Sequence, residues 1–235
     1  MGFDPDAIGT VTVDSYSTLV DVDSQADAIE EHVDGVEDPE AVSSLWRSQY
    51  LVYSVIADDI DEYRPFWDLV GQGLQYALEA HGHDVPAETR DRIRRVVYEE
   101  RLDVFDDVRD GIGRIVDAGY DVYVLSNGNP EMLDHLLDAA DLHGVVEDAI
   151  SADEVETYKP NAEIYRHAAA RTGTPIDRIL HVSGGGMRDV WGAKHAGMRA
   201  AWLVRPDKDL PNEELGRDPD LVVESFHEVA DRLAD

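Results

Sequence analysis

The chain of 235 residues contains no cysteine. That excludes disulfides, thiolate nucleophiles and cysteine-ligated metal sites. Lysine is almost as scarce, present at Lys159, Lys194 and Lys208, and 20 basic side chains stand against 51 acidic ones for a formal net charge of -31. Such a surface repels nucleic acid and anionic membranes, so neither is an expected partner. No apolar stretch approaches the length of a membrane-spanning helix. The opening residues, MGFDPDAIGTVTVD, lack the basic start and long apolar run of a signal peptide. The simplest expected location is the cytoplasm.

The acid is dispersed rather than gathered in a tail. Asp58, Asp59, Asp61 and Glu62 form one group, and Asp218, Asp220 and Glu224 form another far along the chain. Dispersed acid with few lysines suits a solvated surface in a high-salt cytoplasm, where screening makes the self-repulsion tolerable. An apolar fraction of 43% supplies a core and argues against wholesale disorder.

Short apolar runs rich in β-branched residues point to strands at 8–13, 121–125, 179–182, 200–204 and 221–223. Helical periodicity lies between them: Ile112, Ile115 and Val116 share a face, as do Leu133, Leu136, Leu137 and Ala140, and Ile164, Tyr165 and Ala168. Alternating strands and helices imply an α/β fold with a parallel sheet. Residues 20–105 break that rhythm with helical patterns at 41–56, 66–80 and 87–101 and no convincing strand. The expected organisation is therefore a Rossmann-like core (1–19 plus 106–235) with an inserted helical cap (20–105).

Ligands of open parallel sheets bind beyond the carboxyl ends of the strands. Four segments place polar residues there. Asp14 closes the run VTV, where it either caps the next helix or acts as a carboxylate nucleophile. Ser126 and Asn127 precede Pro130, and either cap a helix or help bind an anion. Lys159 is either a surface lysine or a cation that keeps Asp14 charged. Asp189 follows Gly184-Gly185-Gly186-Met187-Arg188, a tight turn that brings in either a bystander or a second carboxylate to orient or deprotonate a water.

Taken in order, these segments resemble the haloacid dehalogenase superfamily over nearly the whole chain, and within it the (S)-2-haloacid dehalogenases. DSYSTL at 14–19 resembles that family's first motif and LSNG at 125–128 its second. Tyr158-Lys159-Pro160 with Tyr165 in the following helix resembles its third, and Leu45-Trp46-Arg47 its cap segment. The resemblance implies that Asp14 attacks the halogen-bearing carbon and that Arg47 receives the halide. Lys159 and Asp189 would then position and activate the water that cleaves the ester, and Thr18 would hydrogen-bond near the nucleophile. Ser126 and Asn127 would hold the substrate carboxylate, while Tyr16, Leu51, Phe66 and Tyr165 line the pocket. An (S)-haloacid would give an (R)-hydroxy acid, with no metal or other cofactor. Family members are often dimers, so a homodimer is an implied assembly.

Two departures separate the chain from the superfamily's magnesium-dependent phosphatases. Tyr16 stands where they carry a second Asp, and Gly185 where they carry the first Asp of their metal motif. Others separate it from the dehalogenases. Ser17 replaces a glycine, Ser48 a glutamine, and the glycine run 184–186 with Met187 and Arg188 replaces a segment that carries an asparagine and a tryptophan. These departures leave an alternative in which the protein binds, or slowly hydrolyses, another carboxylate-bearing metabolite.

Overall fold

A computed structural model describes residues 3–22, 24–205 and 216–234; Lys208 lies outside them. Backbone contacts divide the chain into two compact units, one of residues 1–20 with 104–235 and one of residues 21–103.

The first unit is built on a six-stranded sheet. Its strands are β1 (Thr10–Val13), β4 (Asp121–Ser126), β5 (Asp148–Ser151), β6 (Ile179–Ser183), β7 (Arg199–Leu203) and β8 (Leu221–Val223). Their order is β5-β4-β1-β6-β7-β8, and every pair is parallel. All four residues of β1 and all five of β6 are buried, as expected for strands covered on both faces. Five helices alternate with or follow these strands: α5 (Val108–Asp117), α6 (Pro130–Ala139), α7 (Ala162–Thr172), α8 (Met187–Ala196) and α9 (Phe226–Ala234). Helix α5 packs on α9, and α7 packs on α8. This is an α/β, Rossmann-like core. Strand β1 sits between β4 and β6, so whatever follows Val13 emerges beside the ends of both neighbours.

Several elements differ from the sequence reading. Strand β5 was not expected, because DAIS has one large apolar residue, Ile150, and gives no alternating signal. Two-residue strands β2 (Val20–Asp21) and β3 (Asp103–Val104) pair with each other; they are too short for any pattern to form. Strand β1 begins at Thr10, two residues after the expected start at Ile8, because Ile8 closes the preceding Pro5–Ala7 turn by donating to the Pro5 carbonyl.

The second unit holds α1 (Ser24–His32), α2 (Pro39–Asp59), α3 (Phe66–Ala80) and α4 (Ala87–Arg95), which runs on into a π-helical turn at Val96–Glu100. Asp38 caps α2 by accepting from the Ala41 N–H at 3.0 Å, and Pro39 suits its first turn. Trp46 is fully buried and donates its indole N–H to the Val70 carbonyl at 2.8 Å. It also meets Tyr98 edge-on. Gly73 lets α3 approach α2, since a Cβ there would come within 3.1 Å of the Tyr50 nitrogen. No helix among the described residues is long and apolar enough to cross a membrane.

One glycine sets a spacing that the site depends on. A Cβ at Gly192 of α8 would stand 2.5 Å from the Tyr165 hydroxyl and 2.8 Å from Pro160 Cβ. Gly192→Ala gains about 1 kcal/mol of helix propensity but overpacks a fully buried tyrosine, costing about 1–3 kcal/mol. The expected net result is a lower urea midpoint; a raised midpoint would show that α7 and α8 can separate freely.

Candidate active site

Asp14 follows β1, and its N–H continues the ladder by donating to the Val182 carbonyl at 2.9 Å. The chain then folds into a tight loop. Leu19 donates to Ser15 O at 2.7 Å, and Ser17 donates to Val20 O at 2.8 Å. Ser17 takes φ 66°, a left-handed conformation costly for any residue with a Cβ. The loop turns Thr18 back toward Asp14, and the Thr18 hydroxyl donates to Asp14 Oδ2 at 2.7 Å. That hydroxyl accepts in turn from the Gly184 N–H at 2.8 Å.

Lys159 closes the other side. Its ammonium donates to Asp14 Oδ1 at 2.6 Å, to Asp189 Oδ2 at 2.8 Å and to the Leu125 carbonyl at 2.9 Å, which satisfies all three protons. All three charged residues are buried. Burial alone would pull the Lys159 pKa down. The carboxylates of Asp14 and then Asp189 outweigh it, so the pKa lies above its ordinary value.

Asp189 enters from the first turn of α8. Tyr165 donates to Asp189 Oδ1 and, at 3.1 Å, to the Asp189 carbonyl. Burial opposes ionisation of Asp189, but Lys159 and then His181 overcome it and hold the carboxyl well below the usual range. Tyr165 is pushed well above its ordinary value, first by burial and then by the Asp189 charge.

The remaining expected residues fall into two groups. Ser126 Oγ lies 2.6 Å from Ser15 Oγ and accepts from the Gly128 N–H at 2.9 Å. Asn127 braces Lys159: its Oδ1 accepts from the Lys159 N–H at 2.8 Å, and its Nδ2 reaches the Lys159 carbonyl at 3.5 Å. Tyr16 donates to the Met132 carbonyl at 3.3 Å. Arg47 and Leu51 belong to α2 of the second unit, where both are half-buried. Phe66 is a core residue of that unit, edge-on to Tyr50.

Two site residues were missed from sequence. His181 on β6 is 0% exposed; its Nδ1 lies 2.9 Å from Thr12 Oγ1, its register partner on β1. Its Nε2 lies 3.1 Å from Asp189 Oδ2. The ring N–H is not aimed along that line, so this is a close electrostatic contact rather than a hydrogen bond. A histidine inside the apolar run ILHVS was the available signal. Arg205, buried behind Thr18, gave none.

The residues present do not fit the magnesium site of the superfamily's phosphatases. A Cβ at Gly185 would stand 3.2 Å from Asp14 Oδ2, so the position that would bring a metal-binding carboxylate beside Asp14 has no side chain. The space between Asp14 and Asp189 is taken by the Lys159 ammonium. Among the described residues no other cluster of His, Asp or Glu is arranged to hold a metal ion.

A buried carboxylate after a central parallel strand thus shares one lysine ammonium with a second buried carboxylate. The chain belongs to the haloacid dehalogenase-like hydrolases, whose family model matches residues 8–197. It is 33% identical over 201 residues to (S)-2-haloacid dehalogenase 4A of Burkholderia cepacia, covering 85% of this chain and 84% of that one. It is 31% identical to (S)-2-haloacid dehalogenase 1 of Pseudomonas sp. strain CBS-3, covering 86% and 87%. The fold matches a structure of the L-2-haloacid dehalogenase of Xanthobacter autotrophicus with chloropropionic acid covalently bound. That match has a TM-score of 0.84 and 28% identity over 95% of this chain and 97% of that one.

Removing Lys159 leaves two carboxylates buried without their cation. Lys159→Met is expected to cost about 3–5 kcal/mol of stability at neutral pH, read by urea unfolding. The pH window follows from the shifts. A lysine raised above its ordinary 10.5 stabilises fully below that value and loses the contribution as pH rises through the folded pKa. An aspartate lowered from 3.8 stabilises fully above that value and loses the contribution as pH falls through the folded pKa. The gap between wild type and variant should therefore be widest across neutral pH and shrink on both flanks; a gap that grew in acid would contradict the assignment.

Proposed function

We propose that the protein hydrolyses (S)-2-haloalkanoic acids to (R)-2-hydroxy acids through an ester on Asp14. The observation that carries this reading is the Asp14 carboxylate held on one oxygen by Lys159 and on the other by Thr18, at the strand end where open parallel sheets do their chemistry. The likeness to enzymes named for this reaction supports it.

In the first step an Asp14 oxygen attacks C2 of the substrate. The carbon–halogen bond breaks, and the halide leaves with its electron pair. In the roles implied by the resemblance of the Leu45-Trp46-Arg47 segment, Arg47 receives it and Leu51 and Phe66 supply apolar surface. In the second step water adds to the ester carbonyl of Asp14. The departing alkoxide takes up a proton, Asp14 returns as a carboxylate, and one proton leaves for each halide released. Only the first step inverts the carbon. Asp189, whose charged form Lys159 and His181 favour, takes the water's proton as the water adds to the carbonyl. It also orients the water, with Lys159 beside it. Ser126 and Asn127 hold the substrate carboxylate. Asn127 does so through the Nδ2 proton that does not face the Lys159 carbonyl, since its Oδ1 accepts from the Lys159 N–H. Tyr16 lines the pocket, and Tyr165 holds Asp189. No metal takes part.

The test is halide release from (S)- and (R)-2-bromopropionate with EDTA present, for wild type and Asp14→Asn. Release from the (S) form alone, unchanged by EDTA and abolished in the variant, is the expected result. No release above the variant's background, from folded protein, would overturn the reading. A single turnover in ¹⁸O water should label Asp14 and leave the product unlabelled; label in the product would replace the ester by direct attack of water.

Gly185 gives a steric test of the same site. Its backbone is compatible with an L residue, and a methyl there would press on Asp14 Oδ2. Gly185→Ala should fold normally yet lose about tenfold or more in kcat/KM, since small displacements of reacting groups are costly. Unchanged kinetics would show that this side of Asp14 is not used.

A further inference from the structure

We infer that Arg205 is a positioning residue for the nucleophile, acting through Thr18; the inference rests on the function proposed above. Arg205 follows β7 and is 4% exposed. Its Nε donates to the Thr18 carbonyl at 3.2 Å, and Nη2 donates to the same oxygen. Its Nη1 donates to Asp107 Oδ1 at 2.6 Å, while Asp107 Oδ2 accepts from the Phe226 N–H at 2.7 Å. The guanidinium lies 4.0 Å from the centre of the Phe105 ring and 5.4 Å from that of Phe226.

A buried arginine needs this much: a carboxylate to balance its charge and aromatic faces for its plane. What is unusual is that two of its N–H groups go to one backbone carbonyl. Thr18 is 0% exposed, so without Arg205 that carbonyl would lose both donors in a buried place. Two convergent N–H groups fix the orientation of the Thr18 peptide. The same residue's hydroxyl sets Asp14 Oδ2. Ser17, one residue earlier, holds an unfavourable φ that persists only where its surroundings over-determine it. Arg205 therefore holds the loop whose side chain aims the nucleophile. Lysine cannot substitute fully, because its ammonium has no planar fork to match one acceptor with two donors and stack between rings.

A double-mutant cycle on halide release tests this. Arg205→Met and Thr18→Ala should each lower kcat about 10- to 100-fold, with KM changed far less. Arg205→Met should then add little in the Thr18→Ala background, and Arg205→Lys should recover part of the loss. Losses that multiply would show that Arg205 is only structural and would overturn the inference. If Arg205→Met fails to fold, Asp107→Asn, which keeps the arginine but loosens its anchor, runs the same cycle. A second readout needs no substrate. The ¹³C resonance of the Asp14 carboxyl, assigned through Asp14→Asn, should move in Arg205→Met as it does in Thr18→Ala and move no further in the double variant. Absence of halide release from wild type would sink the dehalogenase reading alone; an Asp14 resonance unmoved by Arg205→Met would sink this one.

Discussion

The site depends on one buried ammonium. Lys159 makes three hydrogen bonds, to Asp14, Asp189 and the Leu125 carbonyl, and these hold two carboxylates together that would otherwise repel. In a dry setting such a group stabilises only when every proton has an acceptor, and here every proton does. The surrounding contacts serve the same end from different sides. Asn127 fixes the Lys159 backbone, Tyr165 fixes Asp189, and Thr18 fixes Asp14. A carboxylate restrained at both oxygens is held in one orientation, which suits the displacement proposed for it.

The sheet order explains why these groups meet. Strand β1 lies between β4 and β6, so the residues ending these strands are neighbours in space though 111 to 169 positions apart in sequence. Ser15 reaches Ser126 from the β1–β4 side, and Thr12 reaches His181 from the β1–β6 side. Lys159 comes from a loop and needs its own brace, which Asn127 supplies. Asp189 comes from a helix, and the missing side chain at Gly192 allows that helix to lie against Tyr165.

Much of this was legible in the sequence because polar residues at the ends of apolar runs stand out. Asp14 and Ser126 are visible that way, Lys159 stands out because lysine is scarce, and Asp189 follows a glycine run. The alternation of β1, β4, β6, β7 and β8 with helices is equally plain. Strand β5 was hidden because four residues with one large apolar side chain carry no period. Helix α1 was hidden because its sequence, SQADAIEEH, is mostly polar, although Ala26, Ala28 and Ile29 are buried. The π-helical turn at Val96–Glu100 was absorbed into a longer expected helix, since one wider turn hardly alters the apolar spacing. Arg205 could not be read at all: its partner Thr18 is 187 residues away, and an arginine after a strand is ordinarily solvated.

Ser17 shows how such a distant partner changes what the chain tolerates. The motif it belongs to carries glycine in the dehalogenases it resembles, and the left-handed φ of 66° gives the reason, because glycine adopts that conformation without penalty. Serine there costs about 1–2 kcal/mol. Part of that cost is offset in the unfolded chain, where serine has fewer conformations to lose than glycine. The rest must be met by the folded loop, through the Ser17 N–H on Val20 O and the Arg205 fork on the next carbonyl. The strain at Ser17 and the burial of Arg205 are therefore one arrangement, in which a rigid turn keeps the Thr18 hydroxyl on Asp14.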